Sequence, residues 1–182
     1  RNPEFSQGLD HWESKSAFTT DAFGSIRASE LSRDGIFAVA HTGYGDPSNL
    51  GYVQQNVTVP MARNACFSML YNFVTMEFPT WLGTGFNDFF QVTITGPSGE
   101  RTFNAAEFLN TADLKLVNGL PTSVLENWFG DPLGQGGATG WKILNQGGLA
   151  LKSGIYRVRI EVRDVGDNIV DSAILVDRVS LK

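Results

Sequence analysis

The sequence predicts an all-β protein, a two-sheet antiparallel β-sandwich of jelly-roll type with one or two short helical turns, forming a single domain over residues 1–182. Three observations carry this reading. Apolar and polar residues alternate with period 2 in short blocks, the pattern of strands with one dry and one wet face. Turn-forming residues separate the blocks, and the chain holds 20 Gly and 7 Pro. Strands do not alternate with helical segments, so the βαβ rhythm is missing and the strands are expected to bury their apolar faces against a second sheet.

Composition sets the outer bounds. A length of 182 residues suits one sandwich, and 42% hydrophobic residues, with 13 Phe, supply a core. Charged residues reach only 18%, which suits turns and strands better than exposed helices. The net charge of -5 offers no basic footprint for phosphates, so no nucleic-acid partner is expected. The most hydrophobic stretch, 65–74, is too short to span a bilayer and carries Asn72, so no membrane insertion is expected either.

Along the chain, strands are expected at 35–41, 52–59 and 66–75. FFQVTIT, the turn Gly96-Pro97-Ser98-Gly99 and ERTF then read as a hairpin. The helical candidate is 104–110, where Asn104 is a possible N-cap and Glu107 stands three residues on, as in a capping box. Segment 113–121 reads as a strand and loop, and 127–140, rich in Gly and Asp, as an exposed loop. Strands follow at 140–145, 155–165 and 173–181. The clearest is 155–165, with Tyr156, Val158, Ile160 and Val162 facing the core and Arg157, Arg159, Glu161 and Arg163 facing water.

The chain begins at Arg1 with no charged and apolar leader, so a processed or excised boundary is expected, from which a signal could have been removed. Cys66 is the single cysteine, which leaves neither an internal disulfide nor a cysteine-rich zinc site. It sits in the apolar run ACFSMLYNFV and reads as a small core hydrophobe.

The two ends of the sequence carry a family resemblance. Asn2, Phe5, Gly8, Leu9 and Trp12 open the chain in NPEFSQGLDHWE, and Asp177, Val179 and Leu181 close it in AILVDRVSLK. Together they resemble the galactose-binding-like jelly rolls of bacterial carbohydrate-binding modules. YNFVTMEFPTWLGTGFNDFFQVTITGPSG and DVGDNIVDSAILVD, between them, resemble extracellular β-sandwich domains of secreted, repeat-bearing bacterial proteins. The resemblance implies the jelly-roll fold. For function it leaves sugar binding, adhesion and plain structural spacing all open.

Acidic side chains give the strongest chemical signal. DVGDNIVD places Asp164, Asp167 and Asp171 within eight residues, and Gly166 with three β-branched neighbours argues for a loop over a helix. Clustered carboxylates repel unless a cation neutralises them, and Ca²⁺ takes about 6–8 oxygen ligands from such side chains and carbonyls. The spacing is not that of an EF-hand. In the resembling domains this stretch recurs with one like MEFPTWLGTGFND, which here holds Glu77, Asn87 and Asp88. The expected Ca²⁺ ligand pool is therefore Glu77, Asp88, Asp164, Asp167 and Asp171. The alternative is a solvated turn whose carboxylates pair with Arg159, Arg163 or Arg178. The resemblance further implies a second calcium shared between Glu4 and Asp177, with a salt bridge to Arg as the alternative. Strand alternation sets Asp177 in register with Leu175, Val179 and Leu181, toward the core.

Sugar rings stack on exposed aromatics with polar groups around them. Tyr44 in HTGYGDPSN and Trp128 in LENWFGDPLGQGG are the candidates, with Asp46, Asn49, Asn127 and Asp131 beside them, and Trp81 is a third that could equally plug the core. Trp12 and Trp141 read as core. His11 and His41 adjoin no nucleophile motif, GPSG is a turn and not a nucleophile elbow, and GQGGATG lacks dinucleotide-binding spacing. The expectation is a non-catalytic, secreted or cell-surface module, supported by structural calcium, that binds a glycan or another cell-surface ligand for adhesion, with neighbouring domains of a larger surface protein as further partners. The alternatives are a structural or assembly domain of an adhesin-like protein and a glycan-cleaving enzyme.

Overall fold

In the computed structural model, residues 3–43, 49–85, 88–104, 113–125, 134–166 and 170–182 are described. Their strands are β1 (Glu13–Lys15), β2 (Ala17–Thr20), β3 (Ala22–Phe23), β4 (Ile26–Arg27), β5 (Phe37–His41), β6 (Leu50–Val59) and β7 (Arg63–Thr75), followed by β8 (Phe89–Gly96), β9 (Gly99–Asn104), β10 (Lys115–Val117), β11 (Gly136–Ala138), β12 (Lys142–Leu151), β13 (Gly154–Arg163) and β14 (Ser172–Leu181). They form a five-stranded sheet in the order β1-β6-β13-β8-β9 and a seven-stranded sheet in the order β10-β11-β7-β14-β5-β2, with β12 also on β7 and β3-β4 as a separate ribbon. The expected all-β sandwich is present.

Alternation in the five-stranded sheet places Tyr156, Val158, Ile160 and Val162 inward, beside Phe90, Val92 and Ile94 of β8 and Val53, Val57 and Val59 of β6. Phe67, Met69, Phe73, Ile174 and Val176 meet them from the seven-stranded sheet. Burying each such side chain is worth about 1.5–3 kcal/mol. The other face of the seven-stranded sheet is dry as well. Phe37, Val39, Val74, Ala173 and Leu175 lie in a second cluster, under Phe23 and Ile26 of the ribbon and Leu120 and Leu125. This explains why β5 and β14 read as nearly unbroken apolar runs, and it makes the outer face of the five-stranded sheet the wet one.

The chain ends meet, as the paired terminal motifs implied. Phe5 stacks on Trp12 at 4.9 Å inside the core, and the Val179 amide donates to the Pro3 carbonyl at 3.0 Å. Asn2 lies outside the described residues.

Several expectations need correction. Gly136–Ala138, read as loop, is a buried strand on β7. Gly is there for fit, since a Cβ on Gly137 would sit 2.5 Å from the Phe78 ring. Strands β1 to β4 went unread because segments of two to four residues are too short to show a period. Apart from Asn104, the helical candidate 104–110 lies outside the described residues. Among described residues, single helical turns occur elsewhere, closed by Trp81 N to Glu77 O at 2.9 Å and Leu125 N to Pro121 O at 3.0 Å. Cys66 is half-buried, not core. With Ala65 and Phe67 inward it must point outward, where its thiol donates to Asn145 Oδ1 at 2.7 Å.

Candidate functional site: an acidic rim, an acidic pocket and a polar sheet face

Antiparallel pairing gathers one set of strand ends. Arg163 at the end of β13 lies opposite Phe89 and Leu50 at the starts of β8 and β6, and Ser172 at the start of β14 lies opposite Thr75 at the end of β7. Ala173 likewise faces His41 at the end of β5. The residues flanking these ends, Thr42, Asn49, Glu77, Asp88, Asp164 and Asp171, therefore share one rim. Gly51 permits the tight fit of β6 against β5, since a Cβ there would fall 2.2 Å from the His41 carbonyl oxygen.

The rim brings the two acidic stretches together, as the resemblance implied. Asp88 donates its amide to Glu77 Oε2 at 3.0 Å and accepts the Val165 amide on Oδ1 at 2.9 Å. Asp171 accepts Thr42 Oγ1 at 3.2 Å, and the Asp164 amide donates to the Asn49 carbonyl at 3.1 Å. Glu77, Asp88 and Asp171 are all buried. Burial pushes the Asp88 carboxyl up to about 9, with the Glu77 and Asp164 charges adding to it and the Ser172 hydroxyl and Val165 amide opposing. Ser172 Oγ acts by proximity, being outside hydrogen-bond geometry, and Asp88 Oδ2 is buried without a hydrogen bond. An orphaned oxygen of this kind costs on the order of 1–3 kcal/mol.

Not every expected residue can be placed. Tyr44, Asp46, Asn87, Asn127, Trp128, Asp131 and Asp167 lie outside the described residues. Trp81 is half-buried at the end of the turn that starts at Glu77. Among the described residues, no three Asp, Glu, His or Cys side chains are grouped as a metal-ligand set. The arginines offered as partners are engaged elsewhere, Arg159 and Arg163 on Glu161 and Arg178 on the Leu31 carbonyl at 3.1 Å.

Asp177 is buried and in line with Leu175, as expected, but Val179 and Leu181 are not in line with it. The β14 register shifts between Asp177 and Ser180, and Arg178 has φ +52°. This bulge leaves Asp177 in line with Leu175 on the second cluster's face and returns only Val179 and Leu181 to the inner core. Its neighbours are Glu4, Ser32 and Asp34. Burial raises the Asp177 carboxyl to about 6, with the Ser32 hydroxyl and Arg178 amide opposing and the Asp34 and Glu4 charges reinforcing. Asp177 Oδ2 is buried without a hydrogen bond, while Glu4 reaches Arg33 at 3.3 Å.

A third feature was missed by the sequence reading. Cross-strand partners share a face, so the outer surface of the five-stranded sheet carries the rows Asn56-Arg157-Thr95-Glu100, Glu13-Gln54-Arg159-Thr93-Thr102 and Lys15-Tyr52-Glu161-Gln91. These rows contain no aliphatic side chain. Glu161, expected in water, is buried by its neighbours. It accepts Arg159 Nε at 2.5 Å, Arg163 Nε at 2.8 Å and the Gln91 amide. Those donors outweigh the cost of burial and hold its carboxyl below the usual range. Arg159 also donates to Gln54 Oε1 at 3.2 Å and covers the Tyr52 ring at 3.8 Å. Over β13, β8 and β9 the surface forms a shallow groove of about 390 Å³. Its signal in the sequence was a strand whose wet face holds three Arg and one Glu, more charge than a solvated face needs.

The fold has a solved counterpart. The chain is similar to the structure of TmCBM61 in complex with β-1,4-galactotriose, at 12% identity and a TM-score of 0.55, over 100% of this chain and 95% of that one. The chain therefore shares the β-sandwich fold of that structure. A non-crystalline-cellulose-specific module, CBM28, aligns at 11% identity and a TM-score of 0.47 over 99% and 92% of the two chains. A family 35 module from Clostridium thermocellum aligns at 13% identity and 0.41, over 96% and 93%. No protein-family model matches the chain, and no curated protein matches it in sequence.

Proposed function

We propose that the chain is a non-catalytic, exported module that binds a glycan through the outer face of its five-stranded sheet and uses calcium to hold its acidic sites together. The observation that carries the reading is that face. A saccharide needs prearranged donors and acceptors for its hydroxyls and an apolar edge for its C–H groups. Gln91, Thr93, Thr102 and the arginines supply the first, and the flat stack of Arg159 on Tyr52, at the edge of the groove, the second. Because Glu161 fixes Arg159 and Arg163, little side-chain entropy is left to lose on binding.

Calcium fits the acidic sites in one respect. At each of two sites a buried carboxylate oxygen, Asp88 Oδ2 or Asp177 Oδ2, makes no hydrogen bond of good geometry and stands among like charges, with one serine hydroxyl, Ser172 or Ser32, near the carboxylate. A cation offsets both penalties. Ca²⁺ also accepts carbonyl and water oxygens, so a site need not present three side chains. Glu77, Asp88 and Asp164 would hold it at the rim, and Glu4, Asp34 and Asp177 in the pocket beside the N-terminal segment.

An immobilised-glycan screen with the wild-type protein and Tyr52→Ala tests the function. Binding by the wild type, weakened roughly tenfold or more in a variant with an unchanged fold, is the expected result. A wild-type protein that binds no glycan would replace this reading with a structural or assembly role.

A further inference from the structure

We infer that the sheet-face groove selects an anionic glycan, one carrying carboxylate or sulfate groups. The inference rests on the glycan-binding reading above and specifies its ligand. Its basis is a charge imbalance in one place on an acidic protein. The groove is lined by Arg157, Arg159 and Arg163 against Glu100 and Glu161, while the whole chain carries a net charge of -5.

Glu161 cannot balance its two neighbours. Its single charge is spent on the pair: Arg159 reaches it through Nε, and Arg163 through Nε and through Nη2 at 2.7 Å. The two guanidiniums together keep one surplus positive charge, although Arg159 Nη1 is also held by Gln54 Oε1 at 3.2 Å. Arg157 adds a further charge. It is exposed one row away, beside Thr95, and Glu100 stands beyond Thr95 on the next strand, where it accepts Thr95 Oγ1 at 3.4 Å. At about 3.3 Å per residue, Arg157 and Arg159 stand about 6.6 Å apart on the same face, and Arg163 lies beyond Glu161 in the same line. Guanidinium forks bind carboxylate or sulfate oxygens in pairs, an arrangement neutral hydroxyls do not exploit. A neutral sugar alone would leave the surplus charge with no function in recognition.

The test uses the full chain against polygalacturonate, a sulfated heparin-type glycan and neutral β-1,4-galactan, by affinity electrophoresis at low and high salt. The expected result is binding to a charged glycan about tenfold or more tighter than to galactan, weakened by salt, with the two charged ligands telling carboxylate from sulfate. Arg157→Gln should weaken charged-glycan binding about tenfold. Arg101→Gln, an exposed arginine on β9 outside the groove, should leave it unchanged. Equal binding of galactan and the charged glycans, or equal losses in both variants, would overturn the inference while sparing the glycan-binding reading. No binding to any of the three would overturn both.

Discussion

Glu161 and Asp88 are both buried carboxylates, 2% and 1% exposed, yet they titrate in opposite directions. Glu161 is held below its ordinary range by Arg159, Arg163 and Gln91, whereas Asp88 is pushed up to about 9 beside Glu77 and Asp164. Burial penalises both, so the partners decide. The sheet face supplies its carboxylate with cations from the chain, whereas the groups that act on Asp88 include no cation. That contrast is what supports the proposals of an anionic ligand on the face and of calcium at the rim.

Removing the satisfied member should cost most. Glu161→Ala leaves Arg159 and Arg163 without their shared anion, and a loss of about 3 kcal/mol is expected in denaturant unfolding. Losing less than about 0.5 kcal/mol would place Glu161 among ordinary surface ion pairs. Next comes calcium. Adding it at a hundredfold excess over its dissociation constant should stabilise the protein by about 2.7 kcal/mol relative to EDTA, read as a rise in melting midpoint. An unchanged midpoint removes the cation from the account.

The smallest effect is the most specific. Folded Asp88 keeps its proton up to about pH 9, whereas the unfolded chain releases it near the ordinary value of 3.8. Between those values the folded state binds more protons, so in EDTA stability falls as pH rises across the window. Asp88→Asn keeps the acceptor for the Val165 amide and removes this slope, so its gain over the wild type should grow from none near pH 4 to its largest near pH 8. Glu161 works the other way, since its contribution is present above its ordinary value of 4.5 and disappears as pH falls below it.

Much of the fold was legible because period-2 alternation survives wherever one strand face is wet, as in β13 and β8. Strands β5 and β14, dry on both faces, were still legible as apolar runs. Their facing was less so, since a bulge at Arg178 put Val179 and Leu181 on the opposite side of the sheet from Leu175 and Asp177 without any mark in the pattern. The meeting of Glu77 and Asp88 with Asp164 and Asp171 came from the family resemblance, since contacts across some eighty residues leave no local trace. The sheet-face network was hidden for a related reason. Gln54, Gln91 and Arg159 look like ordinary wet positions until register sets them side by side.

The most direct test of the account is a nuclear magnetic resonance titration of the isotopically labelled protein with a soluble fragment of whichever glycan binds. Amide shifts concentrated on Tyr52, Gln54, Gln91, Thr93 and Arg157 to Arg163 are the expected result. Shifts confined to the rim around Asp88 and Asp171, with the sheet face silent, would contradict it.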